Sequence, residues 1–165
     1  DVCLELSSFL DVNGCDIIIL EMMYHPDRIG AVFEAAKWVN KPVWAGFSLR
    51  RSESGKILSL TDEASIPFED LIAATDGYNF EVMGIMHTSV ELITDSVKIL
   101  RKFHKGPIMV YPDSGGWISP NWDFTNTIKP EDFKLKAEEW KGEGVQIIGG
   151  CCGLSPEHIS GLNEV

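Results

Sequence analysis

A regular alternation of short apolar segments with longer amphipathic ones most strongly constrains what this chain can fold into. Apolar segments, several of them rich in β-branched residues, predict strands at residues 15–21, 42–49, 81–87, 107–111 and 145–150. Unbroken apolar segments are typical of strands in parallel sheets, which are covered on both faces. The pattern therefore predicts an α/β fold built on a five-stranded parallel sheet.

Apolar residues at helical spacing fill the intervals between these strands. Helices are predicted at residues 27–39, 90–103 and 130–141, and a further helix start at residues 155–159. Pro130 occupies the favoured first turn of its helix, and Gly142 and Gly144 end that helix. Residues 111–129 are predicted to form a long loop, and long loops in compact domains often carry function.

The strand spacing leaves two architectures to compare. Spacing alone favours an open, doubly wound sheet, because an eight-stranded barrel needs roughly 250 residues and this chain has 165. A nucleotide-binding sheet of the open kind has a glycine-rich phosphate loop after its first strand. Residues 22–26 contain no glycine, which disfavours nucleotide binding. By its size, the chain is predicted to be a single domain over residues 1–165.

The charge balance excludes two classes of partner. The chain has 25 acidic and 14 basic residues and a net charge of −11. Such a chain repels nucleic acid and anionic membranes, so neither is expected as a partner. The sequence contains no apolar segment of the roughly 18 residues that a membrane span requires. Because no secretion signal is visible either and the four cysteines are predicted to be reduced, we expect a cytoplasmic protein.

Polar residues gather where the predicted strands end. In parallel α/β folds, open or closed, the carboxyl ends of the strands form the edge at which ligands bind. We therefore take these residues as the candidates for function: Glu21, His87, Asp113, Ser114, Cys151 and Cys152.

A Gly-Gly-Cys-Cys-Gly motif at residues 149–153 is the strongest candidate for a metal site. Glycines permit a backbone turn that directs both thiols toward one ion. Thiolates suit zinc, and an open catalytic zinc site needs one more protein ligand, for which His87 is the candidate. The alternative is that Cys151 and Cys152 are small buried apolar residues and that His87 packs or faces solvent. The residues alone leave both interpretations open.

Two further polar positions also have a functional and a structural interpretation. Glu21 closes an apolar strand, where an unpaired charge is costly. It contacts either the ammonium group of an amino-acid substrate or a basic side chain in a salt bridge. Residues 111–116, which include Asp113 and Ser114, form either an ordinary turn or a substrate loop beside the proposed site.

Together these segments resemble the homocysteine S-methyltransferase family, a group of zinc-dependent (β/α)8 barrels. Residues 144–159 resemble the family's last strand and final helix, and residues 110–115 resemble its seventh-strand loop. Residues 16–22 and 42–48 resemble its fourth and fifth strands. The resemblance covers nearly the whole chain. It implies a partial (β/α)8 TIM barrel that contains about strands 4–8.

The resemblance also implies a metal site and a reaction. Three cysteines hold zinc in the family, so Cys151 and Cys152 are implied as ligands, with His87 in the place of the third cysteine. Glu21 is implied as the contact of the substrate ammonium group. The implied function is zinc-dependent methyl transfer from a methyl donor to the thiol of homocysteine, giving methionine, or to a related small thiol. The alternative is a degenerate, non-catalytic half-barrel that binds a metal or a partner.

Two departures from the family pattern affect these expectations. The family's sixth strand ends in Asn-Cys, where this chain has Met86 and His87, so the implied site is a Cys₂His set that is one unit less negative. The match also begins at the fourth strand, and five strands cannot close a barrel of this kind. Because open strand edges favour association, we expect either a homo-oligomer or a missing N-terminal segment.

Overall fold

The computed structural model describes residues 2–164, which form an alternating series of helices and strands. The helices are α1 (Val2–Val12), α2 (Pro26–Ala36), α3 (Phe68–Ala73), α4 (Val90–Phe103), α5 (Pro130–Gly142), α6 (Pro156–Ser160) and a 3₁₀ turn (Gly161–Glu164). The strands are β1 (Ile18–Leu20), β2 (Val43–Phe47), β3 (Leu49–Arg51), β4 (Ile57–Ser59), β5 (Val82–Ser89), β6 (Ile108–Asp113), β7 (Gly116–Ile118), β8 (Asn121–Asp123) and β9 (Val145–Ile148).

The central sheet has five strands in the order β1-β2-β5-β6-β9, and every neighbouring pair is parallel. Ile108 of β6, for example, lies between Met83 of β5 and Val145 of β9. Across residues 2–164 these strands follow one another in chain order, whereas a doubly wound sheet reverses its order at a switch point. The order is that of an arc of a (β/α) barrel, and the doubly wound alternative is wrong.

The helices cover one face of this sheet and form the main core with it. In α4 the residues Val90, Ile93, Val97 and Leu100 are buried at intervals of three and four, which is the spacing of one helical face. Side chains from the sheet meet them, such as Ile85 and Val110. Full burial of each such side chain contributes about 1.5–3 kcal/mol, so this face holds the arc together.

The opposite face of the sheet carries a separate and smaller cluster of apolar side chains. Val82, Met86 and Met109 are its buried members, and no helix residue contributes to it within the part of the chain described here. A Cβ added at Gly46 would lie 1.8 Å from the Cε atom of Met86, so this glycine makes room for the methionine. Ile19 on the same face is 42% exposed. The expectation of strands covered on both faces is therefore only partly met.

The predicted strands and helices are confirmed in place, with changed ends. The first strand is shorter than predicted at Ile18–Leu20, and β5 and β6 extend beyond the predicted ends to Ser89 and Asp113. Helix α4 occupies the predicted residues. In residues 2–164 no helix is both long enough and apolar enough to cross a membrane.

Three further features were not predicted. They are helix α1, the antiparallel hairpin β3–β4 with the short helix α3, and the antiparallel hairpin β7–β8 inside the predicted long loop. Helix α1 buries none of its described side chains, and Phe9 is 61% exposed. The β7–β8 hairpin is also exposed, with Trp117 packing edge-on against Trp122. Helix α1 and the β7–β8 hairpin lack the burial pattern from which the other elements were predicted. Strand β4 and helix α3 are buried, but at three and six residues they are too short to show a period.

Candidate functional site

The carboxyl ends of β1, β5 and β9 bring four of the six candidate residues together. Cys151 Sγ lies 2.9 Å from His87 Nδ1 and 3.6 Å from Cys152 Sγ. His87 Nε2 lies 3.9 Å from Glu21 Oε2. Two thiols, one imidazole and one carboxylate therefore form a continuous chain of contacts at one edge of the sheet.

Backbone hydrogen bonds hold the cysteine loop against the end of β6. The N–H of Cys151 donates to the carbonyl of Pro112, and the N–H of Ser114 donates to the carbonyl of Cys152, both at 2.8 Å. Gly153 has a φ of +78°, and a Cβ there would lie 1.5 Å from the Ser114 carbonyl oxygen. Only glycine fits both the backbone angle and this close approach, which explains the third glycine of the motif.

The backbone turns sharply at two residues of the site, at His87 itself and at Met22, which follows Glu21. His87 has a φ of +44° and Met22 a φ of +55°, a left-handed region that residues other than glycine rarely adopt. The pairing of β5 with β6 shifts register at this point, after Met86. The His87 ring packs edge-on against Tyr111 at 5.7 Å. Strained backbone of this kind is concentrated at functional sites.

Tyr111 belongs to this site, although the sequence indicated it only as part of the 111–116 loop and not as a site residue. Its hydroxyl donates to Glu21 Oε1 at 2.9 Å and also contacts the Met86 sulfur at 3.1 Å. Burial first, and then the hydrogen bond to Glu21, raise the pKa of Tyr111 well above its ordinary value, so it stays a protonated donor. In the sequence this tyrosine is the last residue of the predicted strand at 107–111. Strand alternation would have placed it on the same face as Met109.

Asp113 and Ser114 line a neighbouring pocket of about 250 Å³ together with Ser89, Glu91 and Asp123. Burial raises the pKa of Asp113 above its ordinary value. The Ser114 hydroxyl accepts a hydrogen bond from the N–H of Ile128 at 2.7 Å, which ties the loop to the segment before α5. Their role as substrate contacts stays a prediction.

The remaining histidines lie outside this group. His25 contacts Glu63 at 3.0 Å, and His104 contacts the Pro107 carbonyl at 3.1 Å. His158 is buried and contacts the Ile128 carbonyl at 2.8 Å.

Nearly the whole chain matches a known protein family. Residues 4–165 match the family model for homocysteine S-methyltransferase. The chain belongs to the homocysteine S-methyltransferase family. The predicted family is therefore confirmed.

Individual relatives of this chain carry the name of the same family. The homocysteine S-methyltransferase of Escherichia coli K12 is 28% identical over 165 residues, covering 96% of this chain and 50% of that protein. Homocysteine S-methyltransferase 2 of Arabidopsis thaliana is 32% identical over 160 residues, covering 92% and 45%. This chain thus spans about half the length of the relatives that it matches along most of its residues.

Solved structures confirm the partial-barrel fold. The apo form of the homocysteine methyltransferase MmuM from Escherichia coli superposes with a TM-score of 0.71 at 26% identity, covering 96% of this chain and 52% of that one. A metallated form of the same enzyme superposes with a TM-score of 0.66 at 24% identity, covering 95% and 47%.

The donor atoms of this family member fit zinc in chemistry and in one distance. Tetrahedral zinc with bonds of about 2.3 Å to sulfur and 2.0 Å to nitrogen separates two sulfurs by about 3.8 Å, and sulfur from nitrogen by about 3.5 Å. The Cys151 and Cys152 sulfurs are 3.6 Å apart, which is close to the first value. The 2.9 Å contact of Cys151 with His87 is shorter than the second.

The site therefore needs a small opening before three ligands surround an ion. Across residues 2–164 no three His, Cys, Asp or Glu side chains are already arranged to hold a metal. Burial raises the pKa of Cys151 to about 11, which keeps the thiol protonated as it stands. A cation beside such a thiol favours the thiolate strongly. Binding of the ion would thus remove the thiol proton and move His87 away from Cys151 by roughly 0.6 Å.

Proposed function

We propose that this chain takes part in zinc-dependent methyl transfer to the thiol of homocysteine, giving methionine, or to a related small thiol. The observation that carries the proposal is the meeting of Cys151, Cys152 and His87 beside the Glu21 carboxylate. Family membership supports the same reaction class. Homocysteine and a methyl donor are the small-molecule partners that it requires.

Each residue of the site has a role in this proposal. Cys151, Cys152 and His87 would hold zinc, which when bound favours the thiolate form of the substrate near neutral pH. Glu21 accepts the substrate ammonium group, and its Oε1 atom is held in place by the Tyr111 hydroxyl. These residues fix the substrate sulfur in one position, and such positioning is a large part of the catalysis of a two-substrate reaction.

A zinc and activity measurement on the purified chain tests the proposal. We expect one zinc per chain by metal analysis, and methionine formed from homocysteine with S-methylmethionine as the probe donor. Cys151→Ser and His87→Ala should each lose most of the zinc and the activity, because each removes a ligand. Cys15→Ser is the matched control, since this thiol contacts the Leu10 carbonyl outside the site. Full zinc content in the His87→Ala variant would remove His87 from the ligand set.

A non-catalytic half-barrel is the second candidate function. His87 in the place of the family's third cysteine favours it, because a neutral imidazole ligand leaves a zinc-bound thiolate a weaker nucleophile. Stoichiometric zinc without methyl transfer from any tested donor would support this alternative against the enzyme.

A further inference from the structure

His87 presents its second ring nitrogen to a carboxylate. Nδ1 contacts Cys151 at 2.9 Å, and Nε2 lies on the other side of the ring, 3.9 Å from Glu21 Oε2. Nε2 is buried and has no hydrogen-bond partner among the described residues. A buried N–H without a partner costs about 1–3 kcal/mol, so a hydrogen-bond acceptor next to this atom would stabilise the protein.

We propose that Glu21 is a positioning residue for His87: its carboxylate holds Nε2–H and so directs Nδ1 toward the cysteine pair. This inference rests on the proposed zinc site. It gives Glu21 a role in the metal centre in addition to the role proposed for it toward the substrate.

The surroundings of Glu21 leave one of its oxygens free for this purpose. Tyr111 donates to Oε1 at 2.9 Å, which fixes one side of the carboxylate. Oε2 faces the imidazole. The Glu21 side chain is 58% exposed, so it can move by the roughly 1 Å that turns a 3.9 Å approach into a hydrogen bond.

The contacts form a single series from the tyrosine to the thiol. The Tyr111 hydroxyl meets Glu21, Glu21 faces His87, and His87 meets Cys151. The edge-on packing of Tyr111 on His87 restricts the ring further. A histidine that binds a metal usually donates its other N–H to a carboxylate, which fixes the ring and raises its basicity. Glu21 stands where that acceptor is needed.

Zinc affinity measured without substrate tests this inference. Competition against a chromophoric chelator should show that Glu21→Leu weakens zinc binding by about 10- to 100-fold, the usual effect of losing such a partner. Glu21→Gln keeps an acceptor oxygen and should recover part of the loss. Tyr111→Phe should weaken binding less, because it frees the carboxylate without removing it. Unchanged affinity in Glu21→Leu would overturn the inference.

The same substitutions in a His87→Cys background are the matched control. A cysteine has no N–H that could donate to Glu21, so Glu21→Leu should leave the zinc affinity of that background unchanged. An equal loss in both backgrounds would mean that Glu21 acts through its charge alone, and would also overturn the inference.

A metal-free measurement separates this inference from the proposed function. In a Cys151→Ala background, where no thiol contacts Nδ1, the ¹⁵N shifts of the His87 ring should report a proton on Nε2, and a mixture of tautomers once Glu21→Leu is added. The same tautomer in both would overturn the positioning role even where zinc binds. The expected shift without zinc uptake would contradict the proposed function and leave the positioning role standing.

Discussion

At the scale of single residues, the sequence predicted which side chains come together better than it predicted their contacts. Cys151, Cys152, His87 and Glu21 meet as strand ends of a parallel sheet should. Tyr111 was predicted only as part of the 111–116 loop, because a hydroxyl at the end of an apolar strand gives no pattern of its own. The orientation of His87 was also beyond prediction, since it depends on a left-handed backbone at a residue other than glycine.

Gly153 offers a direct test of how the cysteine loop is held. Gly153→Ala should destabilise the protein by at least about 1–3 kcal/mol, the cost of a strained backbone alone. Its methyl group would also meet the Ser114 carbonyl oxygen. Urea unfolding measures the loss. Gly142→Ala is the matched control, because nothing lies within 4 Å of its added Cβ. Equal stability of the two variants would contradict this account of the loop.

At the scale of helices and strands, burial and length together decided what could be predicted, since the buried β4 and α3 were too short to show a period. Helix α4 was predicted to its ends because Val90, Ile93, Val97 and Leu100 place one apolar face on the sheet. Helix α1 was not predicted because its apolar side chains, such as Phe9, face outward. The strands of the β7–β8 hairpin are short and exposed, so the alternation that marks a half-buried strand is missing there.

The packing of β2 against β5 predicts an energetic coupling between Gly46 and Met86. Met86→Ala should cost about 2–5 kcal/mol by leaving a cavity. Gly46→Ala should also destabilise, because its methyl group would meet the Met86 side chain. In the double variant the alanine methyl fills part of the cavity, so the effects should fall short of additivity by about 0.5–3 kcal/mol.

A distant glycine supplies the control for this comparison of single and double variants. Gly30 lies in α2 with nothing within 4 Å of an added Cβ. Gly30→Ala and Met86→Ala should therefore add, as effects at separate sites do. Additive effects for the Gly46 pair as well would show that the two side chains do not compete for one space.

At the scale of the whole molecule, the sheet has two open edges and one sparsely covered face. Strands β1 and β9 each have a neighbour on one side only within the described sheet. Helix α1 presents apolar side chains such as Val2 and Phe9 to solvent. Exposed apolar surface and unpaired strand edges both favour association with another polypeptide. The sequence predicted the edges from the strand count, but not the exposed helix.

Light scattering on a size-exclusion column tests the homo-oligomer, which is one of the two alternatives predicted for the open strand edges, the other being a missing N-terminal segment. We expect the native chain to elute as an oligomer, and Phe9→Glu to shift it toward the monomer by placing a charge on this surface. Leu135→Glu is the matched control, because Leu135 is as exposed as Phe9, at 62% against 61%, but lies on α5. A native chain that elutes as a clean monomer would overturn the prediction.

The strand order has a consequence for how the protein is made. A ribosome delivers β1, β2, β5, β6 and β9 in the order in which they pair, so each new strand can dock on the one just synthesised. Glu21 is made directly after the first of these strands, whereas the cysteine pair follows the last. At typical elongation rates, on the order of ten seconds separate the two. The nascent chain therefore already holds the first four of these strands when the cysteine pair is made, so loading of the proposed zinc site would be a late event in its synthesis.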